Sequence, residues 1–187
     1  MRPVTFDRGA LLGESPDVAP TLLNKLLVHG ACVGRIVEVE AYRADDPASH
    51  TFRGETPRNS VMFGPPGHLY CYRSYGIHTC ANIVTGPPGD GAAVLIRALV
   101  PVAGVDEMRR RRGRSTGLAD GPGKLCQALG ITLAHNGVDL CGPGPVLLVD
   151  DGTPPPRVPL VGPRVGITKG VDTPWRFRVS PVSVSAS

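Results

Sequence analysis

The sequence lacks a long hydrophobic run, because no apolar stretch approaches the roughly 18 residues that a membrane-spanning helix requires. Its first eight residues, MRPVTFDR, also lack the charged-then-apolar order of a secretory signal peptide. We therefore expect a protein with no membrane association that stays in the cytoplasm, with the nucleoid if the cell is bacterial.

Closely spaced metal ligands are missing as well. The five cysteines are odd in number, form no Cys-x-x-Cys pair, and each lies in or beside an apolar stretch (Cys32, Cys71, Cys80, Cys126 and Cys141). This pattern predicts reduced, mostly buried thiols and argues against disulfides and zinc ligands. The five histidines show no ligand spacing either, so we expect neither a metal nor a cofactor.

Neither sign of charge dominates the sequence. Twenty Lys and Arg residues against 16 Asp and Glu give a formal charge of +4, with a pI of about 9.0, which permits a nucleic-acid partner without requiring one. A length of 187 residues with 41% hydrophobic residues fits one domain with a buried core. No repeat or boundary interrupts it, so we predict a single domain at residues 1–187.

Glycine and proline, 24 and 20 residues, divide the chain into short elements. Apolar spacing predicts helices at residues 18–27, 104–112 and 123–129, and strands at residues 31–42, 68–72, 77–85, 92–100, 146–149, 164–167 and 176–179. The third and fourth strands flank a turn and predict a hairpin. The polar segment 43–67 predicts a long loop, which is either functional or disordered, and the tail 180–187 predicts no regular structure. The fold class is α+β (mixed α/β), with one curved, mainly antiparallel sheet flanked by helices.

The strand at residues 31–42 carries a carboxylate near its end. With strict alternation, Glu40 shares a face with Ile36 and Glu38, and the opposite face holds the valines (Val33, Val37 and Val39). The pattern alone leaves two interpretations of Glu40: a carboxylate in a cleft, or the more common solvated glutamate at a strand end.

Other side chains are also candidates for chemistry. All four tyrosines lie near candidate polar residues (Tyr42, Tyr70, Tyr72 and Tyr75), where aromatic rings either sandwich a planar base or form a packed cluster. Asn82 and Arg97 lie on the two arms of the predicted hairpin. A polar group without a partner is unfavourable there, so each indicates either a pocket or an exposed edge.

Two basic segments are candidates for phosphate contact. The run of arginines at residues 109–112, with Arg114, ends a predicted helix, where it complements the helix dipole, contacts phosphate or forms a solvated face. The sequence Gly-Pro-Gly-Lys at residues 121–124 is followed by Leu125 and so lacks the pattern of a nucleotide-binding loop. It remains able to open a helix whose amides meet a backbone phosphate.

Taken in order, these fragments resemble the alkyladenine DNA glycosylase family, also called 3-methyladenine (methylpurine) DNA glycosylases. The resemblance runs from about residue 10 to 180. It lies in the motifs GRIVEVEAY (34–42), ASH (48–50), TPRN (56–59), MF (62–63), GHLYCY (67–72), YG (75–76), NI (82–83), GDG (89–91), VLIRAL (94–99), GPGKLCQAL (121–129) and RFRV (176–179).

The resemblance implies a monomeric, monofunctional enzyme that acts on double-stranded DNA containing damaged purines, with a fold like that of formyltransferase C-terminal domains. Glu40 matches the general base that activates a water for attack on C1′, and Arg97 matches the arginine that helps to hold that water. A backbone carbonyl near Val179 is expected to join them. No lysine or N-terminal proline suggests a Schiff base, so no lyase activity is expected.

The resemblance also implies how the damaged base is held. Tyr42, His50 and Tyr72 match the pocket that stacks on the flipped base, and Asn82 matches the residue that disfavours guanine by crowding its exocyclic amine.

Two further matches concern the DNA duplex. Tyr75 matches the side chain that enters the gap left by the flipped nucleotide. The resemblance also implies that Met62 lies nearby, on the side of the complementary DNA strand. Arg73 and Ser74 stand where relatives often carry apolar residues, which changes the expected depth of insertion.

Two other functions remain alternatives. One is a damage-binding protein that keeps the pocket but has little catalytic activity, against which the presence of both Glu40 and Arg97 argues. The other is a non-catalytic RNA- or tRNA-binding domain, in which the pocket formed by Tyr42, His50 and Tyr72 would have no purpose.

Overall fold

A computed structural model describes residues 4–180 and arranges all nine of its strands in one antiparallel sheet. The strands are β1 (Val4–Thr5), β2 (Leu26–His29), β3 (Cys32–Tyr42), β4 (Leu69–Ser74), β5 (His78–Thr85), β6 (Ala92–Ala103), β7 (Val146–Asp150), β8 (Leu160–Gly162) and β9 (Arg176–Arg178). The main order is β1-β7-β2-β3-β6-β5-β4. Because β9 pairs with both β3 and β8, the sheet branches at β3 and curls there.

Short helices cover the sheet. They are α1 (Ser15–Val18), α2 (Val105–Arg112) and α3 (Pro122–Leu129), with 3₁₀ helices at Arg8–Leu11, Ala19–Leu22, Ser60–Phe63 and Leu133–His135. Met108 of α2 and Leu125 and Leu129 of α3 are fully buried in the main core. The structure thus confirms a mixed α+β fold with a curled antiparallel sheet. The likeness to formyltransferase domains remains a prediction.

Several predicted elements are confirmed. These include the strand that became β3, the hairpin of β5 and β6, and the helices α2 and α3. Segment 43–67 is a loop with one 3₁₀ helix. Four of the five cysteines are buried and all five are free thiols, as expected. Of the predicted tail, residues 181–187 lie outside the described residues. No helix among residues 4–180 is long and apolar enough to cross a membrane.

The helix predicted at residues 18–27 is wrong. Only α1 and the following 3₁₀ helix form, because Pro20 provides no backbone N–H for an α-helical hydrogen bond and Asn24 adopts a left-handed conformation (φ 68°) that turns the chain into β2.

The strand predicted at residues 164–167 is also wrong, since this segment is an irregular loop after β8. Pro163 precedes it, Gly166 has a positive φ of 78°, and the Val165 amide binds a side chain where a strand would pair with another strand.

A double bulge breaks the expected alternation of β3. Ile36 pairs with Leu99, Glu38 with Ala98, and Val39 with Ile96, so Val37 on β3 and Arg97 on β6 are each an extra residue. The side chains therefore change face at this point, and Ile36 and Val39 both enter the core, contrary to the strict alternation predicted.

Candidate active site

All of the predicted site residues except Glu40 line one cavity of about 410 Å³ beside the double bulge (Tyr42, His50, Met62, Tyr72, Tyr75, Asn82 and Arg97). They come from β3, β4, β5, β6, the loop at 43–67 and the hairpin turn after β4. Glu40 lies behind Tyr42 and Arg97 and has an exposed fraction of 0%. The curl of the sheet therefore brings together residues that are far apart in the sequence.

Glu40 is a buried carboxylate that accepts three hydrogen bonds. Its Oε2 accepts from the Tyr42 hydroxyl at 2.9 Å and from Arg97 Nη1 at 3.2 Å. Its Oε1 accepts from the Val165 backbone N–H at 2.8 Å. These donors, one of them a guanidinium, compensate for the loss of water around the charge.

Arg97 lies between two carboxylates. Besides its contact with Glu40, its Nε donates to Glu38 Oε1 at 3.1 Å, and that oxygen also accepts from Arg176 Nε at 2.7 Å. Two carboxylates therefore alternate with two guanidinium groups across β6, β3 and β9. The orientation of Arg97 is fixed on both sides, and the charges balance within the wall of the cavity.

The hydroxyl of Tyr42 remains a neutral donor. Burial raises its pKa well above the ordinary value, and the charge of the Glu40 carboxylate and the hydrogen bond to it raise it further. At neutral pH Tyr42 therefore holds its proton toward Glu40 while its ring lines the cavity.

An aromatic wall stands next to this carboxylate. The His50 ring meets the Tyr72 ring edge-on, with centroids 4.4 Å apart, and the Tyr70 ring stacks on Tyr72 at 5.8 Å. His50 Nδ1 is 3.0 Å from the Tyr70 hydroxyl. Partial burial, and then the charge of Arg58, lower the pKa of His50, so its imidazole is neutral at neutral pH. Tyr70 is thus a supporting residue that the resemblance did not assign.

Asn82 is fixed against β4 in the same wall. Its side-chain amide donates to the backbone carbonyl of Tyr70 at 3.0 Å, across the β4–β5 pair in which the two residues lie opposite each other. A buried amide held in this way presents a rigid obstacle in the cavity.

The hairpin tip between β4 and β5 is exposed. Tyr75 has an exposed fraction of 87% and Ile77 one of 75%. Tyr75 and Gly76 both have positive φ, 48° and 69°, as the central residues of a type I′ turn require. The Ile77 N–H closes this turn on the Ser74 carbonyl at 3.1 Å. An exposed aromatic in a left-handed conformation carries strain that the packing of the protein does not explain.

Met62 occupies a different position. It is 3% exposed and packs with Tyr70, Val84 and Ala93 in a small second cluster, so it lies in the cavity wall and not at the rim. Its contact with the complementary strand remains a prediction.

Val165 is the backbone group that the sequence did not reveal. Its N–H binds Glu40, and its carbonyl accepts from Arg97 Nη1 at 3.4 Å. Val179, expected near the attacking water, is buried and donates its own N–H to the Val37 carbonyl at 2.9 Å. The pattern around Val165 predicted a strand, which concealed its role.

The basic segments take part in packing. Arg109 pairs with Asp106, and Arg111 pairs with Glu107 and donates to the Ala128 carbonyl at 3.1 Å. The run thus joins α2 to α3, and its contact with phosphate remains a prediction.

The sequence at residues 121–124 opens α3, and Pro122 reaches the cavity. A side chain at Gly123 would have its Cβ 2.7 Å from the Cβ of His78, so glycine permits this close approach of α3 to β5.

Comparison with known proteins places this architecture in a family. The family model described as methylpurine-DNA glycosylase matches residues 10–182. A relative from Burkholderia lata is 54% identical over 180 residues, which are 93% of this chain and 84% of the relative. Relatives from Rhodopseudomonas palustris and Nitrosospira multiformis are each 55% identical, over 86% and 88% of this chain and 78% and 84% of their own lengths. All three bear the provisional name 3-methyladenine DNA glycosylase. The chain belongs to the methylpurine-DNA glycosylase family.

Proposed function

We propose that this protein is a monofunctional DNA glycosylase that extrudes an alkylated or deaminated purine from duplex DNA and hydrolyses its N-glycosidic bond, leaving an abasic site. The observation that carries the proposal is the buried Glu40 carboxylate beside an aromatic cavity of about 410 Å³. The names of the relatives support the same reaction class.

Glu40 acts as the general base. An ionised carboxylate has about four acceptor sites, and the three hydrogen bonds leave about one for a water. That water loses a proton to Glu40 as its oxygen bonds to C1′, and the C1′–N9 bond breaks with its electron pair leaving on the purine. General base catalysis of this kind contributes about 10²–10⁴-fold. Arg97 holds the carboxylate and the water in line.

The aromatic wall, together with Tyr42, holds the extruded base. Tyr42, His50 and Tyr72 all line the cavity, and rings of this kind stack on a purine. Alkylation at N3 or N7 makes the purine cationic, and an aromatic face attracts a cation. The neutral His50 adds no opposing charge. Asn82 disfavours guanine by crowding its exocyclic amine.

Opening of the duplex falls to the hairpin tip, where Tyr75 fills the gap left by the extruded nucleotide. Met62, in the cavity wall, lies on the side of the complementary strand. Extrusion costs a few kcal/mol and costs least at damaged or mispaired bases, which adds selectivity. We also propose that the enzyme has no lyase activity, which the absence of lysine from the described lining of the cavity supports. The enzyme works as a monomer in the cytoplasm, without a metal or cofactor.

Release of free base tests the proposal. Labelled duplexes carrying one hypoxanthine or one 3-methyladenine are incubated with wild type, Glu40→Gln and Glu14→Gln. The last is a control at an exposed glutamate, whose side chain is 56% exposed. We expect release by wild type and the control, and near-loss in Glu40→Gln. Lesion binding without release by wild type would indicate a damage-binding protein. Preference for RNA without base release would indicate the RNA-binding alternative.

A further inference from the structure

A buried ion pair stands directly behind the candidate active site. Arg164 and Asp46 have side-chain exposures of 0% and 2%, and no other ion pair among residues 4–180 has both partners so deeply buried. Arg164 Nη2 donates to Asp46 Oδ1 at 3.0 Å, and Nη1 binds Oδ2. Both partners come from irregular segments 118 residues apart, where no secondary structure requires them.

The pair joins three segments that carry site residues. Arg164 Nη1 donates to the carbonyl of Ala41, at the end of β3 between Glu40 and Tyr42. Asp46 Oδ1 accepts from the backbone N–H of Ala48, in the loop that bears His50. Arg164 also belongs to the loop after β8 that supplies Val165.

The guanidinium of Arg164 also packs against aromatic rings. Its central carbon lies 4.7 Å from the centre of the Tyr42 ring and 5.3 Å from that of Trp175. The backbone carbonyl of Trp175 in turn accepts from the Ala41 backbone N–H at 2.9 Å. The position of Tyr42, and hence of the hydroxyl that it donates to Glu40, therefore depends on Arg164.

Two of the three donors to Glu40 thus depend on the Arg164 side chain. Arg164 packs against the ring of Tyr42, whose hydroxyl is one donor. The other donor is the backbone amide of Val165, the residue that follows Arg164. A buried ion pair is a poor source of stability, because removing two charges from water offsets most of their attraction. Arg164 Nε also finds no acceptor among the described residues. The pair is therefore better explained by the positions that it fixes.

We propose that Arg164, held by Asp46, is a positioning residue that aligns the Glu40 carboxylate for attack by water. The proposal rests on the proposed function, in which Glu40 is the general base. A misplacement of about 1 Å can reduce a rate by about 10²-fold, so loss of the pair acts on the chemical step.

The test replaces both partners together. Arg164→Met with Asp46→Asn leaves no unpaired buried charge and keeps a side-chain oxygen for the Ala48 N–H. We expect the single-turnover rate of base release to fall about 10²-fold. The affinity for the lesion duplex should stay close to that of wild type, because phosphate contacts supply most of it.

A matched control replaces an ion pair far from the cavity. Lys25 Nζ binds Asp150 Oδ2 at 2.9 Å where β2 and β7 meet, and the lysine side chain is 7% exposed. Lys25→Met with Asp150→Asn likewise removes both charges of a pair and should leave the rate of base release at the wild-type value. Far-ultraviolet circular dichroism reports whether each variant is folded, because the contact of Arg164 with Trp175 makes tryptophan fluorescence sensitive to the substitution itself.

A third comparison adds Glu40→Gln to the Arg164 and Asp46 variant. If the pair acts through Glu40, the combination releases base no more slowly than Glu40→Gln alone. Equal slowing by both ion-pair variants would show a general structural effect and overturn the proposal. Base release at the wild-type rate by the Arg164 and Asp46 variant would overturn it while leaving Glu40 as the base. Absence of release by wild type would reject the proposed function and this inference together.

Discussion

The carboxylate wall and the hairpin tip of the same cavity are built in opposite ways. In the wall, Glu40 and Arg97 are buried or nearly so, and hydrogen bonds fix each of them from two or more sides. At the tip, Tyr75 and Ile77 are exposed, and Tyr75 adopts a left-handed backbone conformation. Groups that act on developing charge work best when already oriented, whereas a wedge gains its contacts only when DNA arrives.

Arg97 is the residue whose loss should disturb the carboxylate wall most, because it binds both Glu38 and Glu40. Arg97→Met should lower the free energy of unfolding by about 3–5 kcal/mol, because it leaves the Glu40 and Glu38 carboxylates without their shared partner. The rate of base release should fall at least in proportion to the fraction of the protein that remains folded. Urea unfolding measures the loss of stability, and the single-turnover rate of base release at saturating enzyme measures the effect on the reaction.

Arg97→Lys is the matched control for charge. It keeps a cation but loses the planar group that reaches both carboxylates, so it should recover part of the stability and little of the rate. Wild-type release by Arg97→Met would show that the wall needs no fixed guanidinium.

Tyr75→Gly tests the tip and should have effects of opposite sign. Glycine tolerates the φ of 48° without strain, so the free energy of unfolding should rise by about 1 kcal/mol. Loss of an aromatic that stacks on bases should weaken binding to a lesion duplex by about 1–3 kcal/mol. Thermal unfolding and fluorescence anisotropy measure the two quantities.

Tyr75→Asn provides the control, since asparagine accepts the left-handed conformation but has no ring. It should bind lesion DNA as weakly as Tyr75→Gly. Unchanged affinity in both variants would remove the wedge from the proposal.

The elements with a regular hydrophobic pattern could be predicted from the sequence. The strand β3, the hairpin of β5 and β6 and the helix α3 all follow such patterns. The prediction failed at residues 18–27, where Pro20 and Asn24 interrupt an apparently helical spacing. The double bulge at Val37 and Arg97 was also missed, because it depends on how two strands pair and not on either strand alone.

The candidate site divides in the same way. The resemblance supplied the buried Glu40 and the residues that line the cavity, such as Arg97. It did not supply Val165, Arg164 or Asp46, whose roles arise from contacts between segments 118 to 125 residues apart. Buried charges in irregular segments carry no local pattern, so their partners become visible only in the fold.

Two neighbouring residues of the arginine run at residues 109–112 differ in exposure. The side chain of Arg110 is 75% exposed, whereas that of Arg111 is 33% exposed and donates a hydrogen bond to α3. If Arg110 contacts a phosphate, Arg110→Ala should reduce the slope of log affinity against log salt by about 0.9. Arg111→Ala should lower the free energy of unfolding and leave that slope unchanged. Binding isotherms at several salt concentrations measure the slope. An unchanged slope for Arg110→Ala would show that Arg110 is solvated and contacts no phosphate.

His50, which contacts Tyr70 and Tyr72 in the aromatic wall, should show a weaker effect. Its pKa is lower in the folded protein than in the unfolded chain, chiefly because the ring is partly buried. Its contribution to stability is therefore complete above the unfolded value of about 6.5 and is lost as the pH falls through the folded pKa. The free energy of unfolding of wild type should decrease across this interval. His50→Gln, which cannot titrate but can still bond the Tyr70 hydroxyl, should decrease less. Urea unfolding at several pH values between about 7 and 5 measures both curves. Parallel curves would mean that folding does not change the pKa of His50. Its ring would then be as well solvated as the exposed hairpin tip, contrary to its partly buried position in the aromatic wall.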